Sequence, residues 1–93
     1  MPLKIFVEDE KLKIKIDGSL TINEVLNMKK ELSKLINAKN INFDLSEIQE
    51  FDSAGFQLLY TFIRDKRKEG ITVIIDGISE IVRNFQETYN LEL

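Results

Sequence analysis

The sequence contains no cysteine and no histidine. Disulfides and thiol chemistry are thereby excluded, and the absence of cysteine is compatible with a reducing compartment. Without either residue, the usual nucleophile and base pairs and the common transition-metal ligand sets are missing as well. Glycine is scarce: Gly18, Gly55, Gly70 and Gly77 stand alone, and none opens a run ahead of a Lys-Ser or Lys-Thr pair. A phosphate-cradling loop is therefore absent, and nucleotide hydrolysis is not expected. No apolar run approaches the roughly 18 residues of a membrane helix. The opening "MPLKIFVEDE" carries acids where a signal peptide needs a continuous apolar core. Positive charge is not gathered into a block either: 13 Lys and Arg are spread along the chain against 16 Asp and Glu, for a net charge of −3. Nucleic acid is not an expected partner. These absences read as a soluble, cytoplasmic protein with no direct membrane insertion and no implied cofactor.

What is present is enough for one globular domain spanning residues 1–93, with 43% apolar residues to build a single core. Leu3, Ile5 and Val7 alternate with Lys4 and Phe6, which predicts a partly covered first strand. Leu12, Ile14 and Ile16 alternate with Lys11, Lys13 and Lys15, predicting a second strand with one buried and one solvated or edge-like face. The polar residues from Glu8 to Glu10 suit the turn between them. After Asp17-Gly18, Thr21 and Glu24 form a capping-box pattern. The helix that follows has an apolar stripe of Ile22, Val25, Met28 or Lys29, Leu32 and Leu35, and it ends at "NAKN".

"INFDL" returns to period two on Ile41, Phe43 and Leu45. A second helix opening at or after Ser53 carries Leu58, Leu59, Phe62 and Ile63 on one side. "RDKRKE" lies at its far end, and Gly70 is its stop. "ITVIID" is nearly unbroken apolar, which predicts a strand buried on both faces, central or parallel. Ile78, Ile81, Val82 and Phe85 predict a last helix with Ser79 as its cap, while "YNLEL" is too short to assign. The order strand, strand, helix, strand, helix, strand, helix implies an α/β fold. A mixed sheet carries the helices mainly on one side, because successive right-handed crossovers return to the same face.

Two clusters hold the remaining chemistry. Asp44, Glu47, Glu50 and Asp52 gather between the third strand and the second helix; the spacing matches no calcium loop, and solvated loop acids account for them. The second is "EFDSAGFQLL". Asp52 or Ser53 suits an N-cap. Gly55 within the first turn costs about 1 kcal/mol relative to Ala, and Ala54 beside it leaves a bare surface that another backbone can approach. The helix dipole and unpaired amides there favour an added phosphate, whereas Asp52, Glu50 and Asp44 repel it.

"INFDLSEIQEFDSAGFQLL" resembles the core signature of the STAS domain family, in which a strand ending in Asp-Leu-Ser leads to Asp-Ser or Asp-Thr, a small residue, Gly and an apolar residue. The resemblance covers most of the chain, since "IDGSLTINEV", "KEGITVIIDGISEIVRNFQ" and "YNLEL" fall in the expected order. It implies a STAS fold of about four strands and a non-enzymatic switch resembling anti-sigma-factor antagonists. By resemblance, Ser53 is the phosphoacceptor of a Ser/Thr kinase that is also an anti-sigma factor, and a phosphatase reverses the modification. The docking face is implied to comprise Asp52, Ser53, Ala54, Gly55, Phe56 and Gln57 with the Gly18, Ser19 and Thr21 loop. "DSAGFQLL" also resembles short STAS proteins encoded with chemotaxis or lipid-transport components. That likeness implies an alternative, a constitutive subunit of a larger assembly with Ser53 only a helix cap. A response-regulator receiver with Asp44 as phosphoacceptor fits less well, because the first strand leads into a hairpin and 93 residues are few for a doubly wound sheet.

Overall fold

The computed structural model describes residues 3–8, 10–34 and 38–93. Its elements are β1 (Leu3–Glu8), β2 (Lys11–Leu20), α1 (Ile22–Ser33), β3 (Asn40–Phe51), α2 (Ser53–Lys68), β4 (Thr72–Ile78) and α3 (Glu80–Tyr89), in the order the periodicity predicts. Three places in that reading, Asp9 in the hairpin turn, Leu35 in the helical stripe and Asn37 at the helix exit, lie outside the described residues.

The four strands stand in the order β1-β2-β3-β4. β1 runs antiparallel to β2, while β2 with β3 and β3 with β4 are parallel, so the sheet is mixed. Two successive parallel crossovers of the favoured right hand put α1 and α2 on one face. That face is where the alternating residues of β2 and β3 go: Ile14, Ile16, Phe43 and Leu45 are fully buried, together with Leu59 of α2 and Val82 of α3. Phe43 meets Phe62 edge-on at 5.8 Å, which fastens α2 to the sheet centre.

Among the described residues the opposite sheet face carries no helix, and this changes the reading of two strands. β4 is parallel, but it is an edge strand rather than a central one buried on both sides; only Val73 is buried and Ile74 is half exposed. Its apolar run reflects β-propensity on a face that no described helix covers. β1 is covered less than its alternation suggests. Ile5 and Val7 stand opposite buried Ile14 and Leu12, yet both are exposed, because the helices do not extend over this edge.

The helices match their start signals, while α1 stops at Ser33 with Lys34 as its C-cap, ahead of "NAKN". α1 begins at Thr21 with the full capping box, and Met28 and Leu32 are its buried stripe, whereas Ile22 lies outside the core. α2 ends before Gly70, whose φ of 85° suits glycine. Ser79 caps α3, and the closing residues form a left-handed exit at Asn90, with the Leu91 amide donating to the Gln86 carbonyl at 2.9 Å. β2 and β3 run on past the predicted Ile16 and Leu45 to Leu20 and Phe51, through two shifts of their mutual register. Those extensions carry the chain to the site.

Candidate functional site

β2 and β3 are parallel neighbours, and Leu20 stands opposite Phe51. The two strands therefore end level, and the helices that follow them, α1 and α2, begin side by side. Each helix start leaves backbone N–H groups without an intrahelical partner and carries a partial positive charge. One carboxylate serves both. Asp52 Oδ1 accepts from the Gly55 amide at 2.9 Å, capping α2, and Oδ2 accepts from the Ile22 amide, the first of α1, at 2.9 Å. Asp52 is the N-cap, with extended backbone at φ −135°.

The α1 start closes on itself. The Glu24 carboxylate accepts from the Thr21 amide at 2.9 Å and from its hydroxyl at 2.8 Å, and Thr21 Oγ1 accepts from the Asn23 amide at 3.4 Å. The Thr21 hydroxyl is thus used in both directions.

Ser53 differs. It is the first residue of α2 and it is exposed. Because Asp52 holds the cap, a capping role for Ser53 is corrected: no side-chain hydrogen bond engages its hydroxyl among the described residues.

Gly55 is buried, and a Cβ there would lie 2.2 Å from the Leu20 carbonyl oxygen. The close backbone approach expected at this glycine is real, but the backbone is the chain's own β2. Phe56 is also buried and stacks on Phe85 at 5.5 Å and on Tyr60 at 5.9 Å. Gly55 and Phe56 therefore lie beneath the surface, Ser53 and Gln57 are exposed on it, and Ala54 and Asp52 are half-buried. Gly18 and Ser19, expected in a loop, belong to the bulged end of β2, where Gly18 takes a φ of 82°. They reach the same end of the sheet, with Ser19 opposite Glu50.

A groove of about 510 Å³ lies between α1 and α2, lined among others by Ile22, Val25, Ala54, Gln57, Leu58 and Phe62. Ile22, which lines it, is 67% exposed, and Leu26, one turn further along α1, is 68% exposed. The sequence reading assigned Ile22 to the core and passed over Leu26. The signal was their four-residue spacing, one apolar residue per turn more than a core stripe needs.

Of the acids expected between the third strand and the second helix, Asp44, Glu47 and Glu50 lie within the longer β3 and only Asp52 lies between the two elements; they do not converge. Among the described residues no group of three or more is placed to hold a metal ion. Asp44 accepts from the Ser46 hydroxyl and from the Ser46 amide at 3.0 Å. These bonds, led by the hydroxyl and aided by Lys15 and Lys13, hold its carboxyl below the ordinary range against the opposing effect of burial.

The chain belongs to the STAS domain family: the family model described as Mlab, STAS domain matches residues 6–92. Among solved structures it is similar to the Bacillus protein SpoIIAA. The unphosphorylated form of that protein matches at TM-score 0.77 and 20% identity, over 96% of this chain and 81% of that one. The phosphorylated form matches at 0.75 and 19%, over 96% and 84%. An anti-sigma factor antagonist from Mycobacterium paratuberculosis matches at TM-score 0.81 and 11% identity, over 95% of this chain and 76% of that one. Mglu matches at 0.71 and 15% over 78% of this chain, which spans only 19% of Mglu. At these identities the likeness is one of fold. With its hairpin opening and one bare sheet face, that fold is a STAS fold and not a doubly wound receiver.

Proposed function

We propose that this chain is a phosphorylation-controlled interaction switch. Unmodified, it binds a Ser/Thr kinase that acts as an anti-sigma factor; with phosphate on Ser53 it lets go, and a phosphatase restores it. The observation that carries this reading is the division of labour at the α2 start: Asp52 takes the capping bonds, and the Ser53 hydroxyl is left exposed. A phosphate there adds about −2 charge without removing a bond the fold uses. Two helix starts beside it offset part of that charge, while the Asp52 carboxylate pushes it outward, toward a docking partner. The docking face comprises Ser53 and Gln57 at its centre, Asp52 and Ala54 beside them, and Gly18, Ser19 and Thr21 at the neighbouring strand end. Gly55 and Phe56 shape it from beneath. No step of this function requires catalysis by the chain itself.

The α1 and α2 groove favours a second reading, a constitutive subunit of a larger assembly such as a lipid-transport or chemotaxis complex, because its exposed Ile22, with Val25, Leu58 and Phe62, offers apolar contact that does not involve Ser53. Titrating the partner kinase with wild type, Ser53→Ala and Ser53→Asp separates the two. The switch predicts that Ser53→Asp weakens binding by more than tenfold, about 1.4 kcal/mol, while Ser53→Ala binds and cannot be phosphorylated. Equal affinity for all three supports the constitutive subunit.

A further inference from the structure

The sheet face without a described helix holds a cavity of about 560 Å³, lined by Phe6, Lys11, Lys13, Lys15, Asn42 and Asp44. That volume lies within the range of small-molecule sites, about 300–1,000 Å³. The lining follows from strand period and register. Lys11, Lys13 and Lys15 alternate with buried Leu12, Ile14 and Ile16, so they share the face away from the helices. Lys13 stands opposite Phe6 of β1 on one side and Asn42 of β3 on the other, a row of about 10 Å across three strands. Folding accounts poorly for this row. Phe6 is 54% exposed, and Lys13 and Lys15 form no ion pair among the described residues. Asn is disfavoured in strands, yet Asn42 stands in an interior strand, and its Oδ1 is buried without a hydrogen-bond partner among the described residues. An acceptor so placed is destabilising unless a donor reaches it, and such a group lining a cavity points to a ligand.

We infer that this cavity binds a small aromatic acid bearing a neutral N–H or O–H donor: the anion lies between Lys13 and Lys15, the ring lies on Phe6, and the donor meets Asn42 Oδ1. Each part of the ligand answers one part of the lining. The Asp44 carboxylate shares the cavity, but three lysines outnumber it and its Oδ1 already accepts from Ser46, so the site favours an anion. The same lysines repel an ammonium group, so the donor that reaches Asn42 is an amide or a hydroxyl. An aliphatic acid leaves Phe6 in water, whereas an aromatic ring covers it. Ser53 opens a helix on the other side of the sheet, and the cavity is therefore independent of the proposed switch.

The test is a titration of the full chain with N-acetyl-L-phenylalanine, followed by backbone amide NMR. This probe has the carboxylate, the amide N–H and the ring. About 15 non-hydrogen atoms at ordinary ligand efficiency give a Kd on the order of 0.5 mM, so the titration runs to about 5 mM. Shifts are expected at Phe6, Lys13, Lys15 and Asn42. N-acetyl-L-phenylalaninamide lacks the anion, L-phenylalanine carries an ammonium and N-acetylglycine lacks the ring; each should bind at least roughly tenfold more weakly. Lys13→Gln and Asn42→Val should each weaken the probe about tenfold. Asn42→Val, with a strand-forming residue in place of the unpaired amide, should also raise the thermal midpoint, which checks that it folds. Lys30→Gln removes the same charge from an exposed position on α1 and should leave the probe's affinity unchanged. An absence of shifts on the lysine face at about 5 mM, equal affinity for the amide, or unchanged affinity in both Lys13→Gln and Asn42→Val overturns the inference.

Discussion

The two helix entrances lie side by side, follow adjacent parallel strands and each carry a hydroxyl, but they use it differently. At α1, Thr21 is the cap, and its hydroxyl both accepts from Asn23 and donates to Glu24. At α2 the cap has moved one residue back, to Asp52, whose two oxygens serve both helices, and Ser53 is left exposed and unengaged. A hydroxyl tied into a capping box cannot be modified without breaking the box. One placed beside an independent cap is available to an enzyme at little structural cost. The comparison therefore separates a structural hydroxyl from a candidate regulatory one within the same small region.

The largest expected effect removes the platform on which both entrances rest. Gly55→Ala drives a methyl group into the Leu20 carbonyl, which cannot yield as a flexible side chain would, so α2 must shift off β2. Urea unfolding should show a loss of about 3 kcal/mol or more. Asp52→Ala comes next, because it strips the cap from α2 and the tie to α1 together. About 2 kcal/mol is expected, roughly twice an ordinary single cap.

The comparison itself is tested by alanine at each hydroxyl. Thr21→Ala should cost about 1 kcal/mol, whereas Ser53→Ala should fall within about 0.5 kcal/mol of wild type. Equal losses would mean that the Ser53 hydroxyl is structural after all. The smallest effect is electrostatic and lies on the bare sheet face. The folded carboxyl of Asp44 is held below its ordinary value of 3.8, chiefly by the Ser46 hydroxyl. Its contribution to stability is therefore fully present above that value and is lost as pH falls through the lowered one. Asp44→Asn should flatten the acid limb of a stability profile slightly, lowering stability at neutral pH by the small amount that wild type itself loses in acid.

Features whose causes are local in the chain were legible in the sequence. The Thr21 and Glu24 spacing, the Ser79 cap, the Gly70 stop and the alternation of β2 and β3 all depend on neighbours within a turn or along one strand. Features that depend on distant partners were not. The tie from Asp52 to Ile22 spans 30 positions. The reason for Gly55 is the Leu20 carbonyl, on a strand that reaches α2 only through the sheet. "ITVIID" suggested a strand buried on both faces, central or parallel; it is parallel, but β-branched residues look alike on a covered and an uncovered face, and only the strand order places β4 at the edge. Within the candidate site, residue types pointed to Asp52 and Ser53 as a pair, and the geometry assigned the cap to one and exposure to the other.

The most direct test of the central claim is phosphate mapping by mass spectrometry on the chain isolated from its own cells, together with whatever partner remains bound. The switch predicts phosphate on Ser53 in a fraction depleted of the kinase partner, and an unmodified chain in the fraction that retains it. Ser53→Ala should carry no phosphate and stay bound. Partner retention with no phosphate on Ser53 in either fraction, or equal phosphorylation in both, would contradict it.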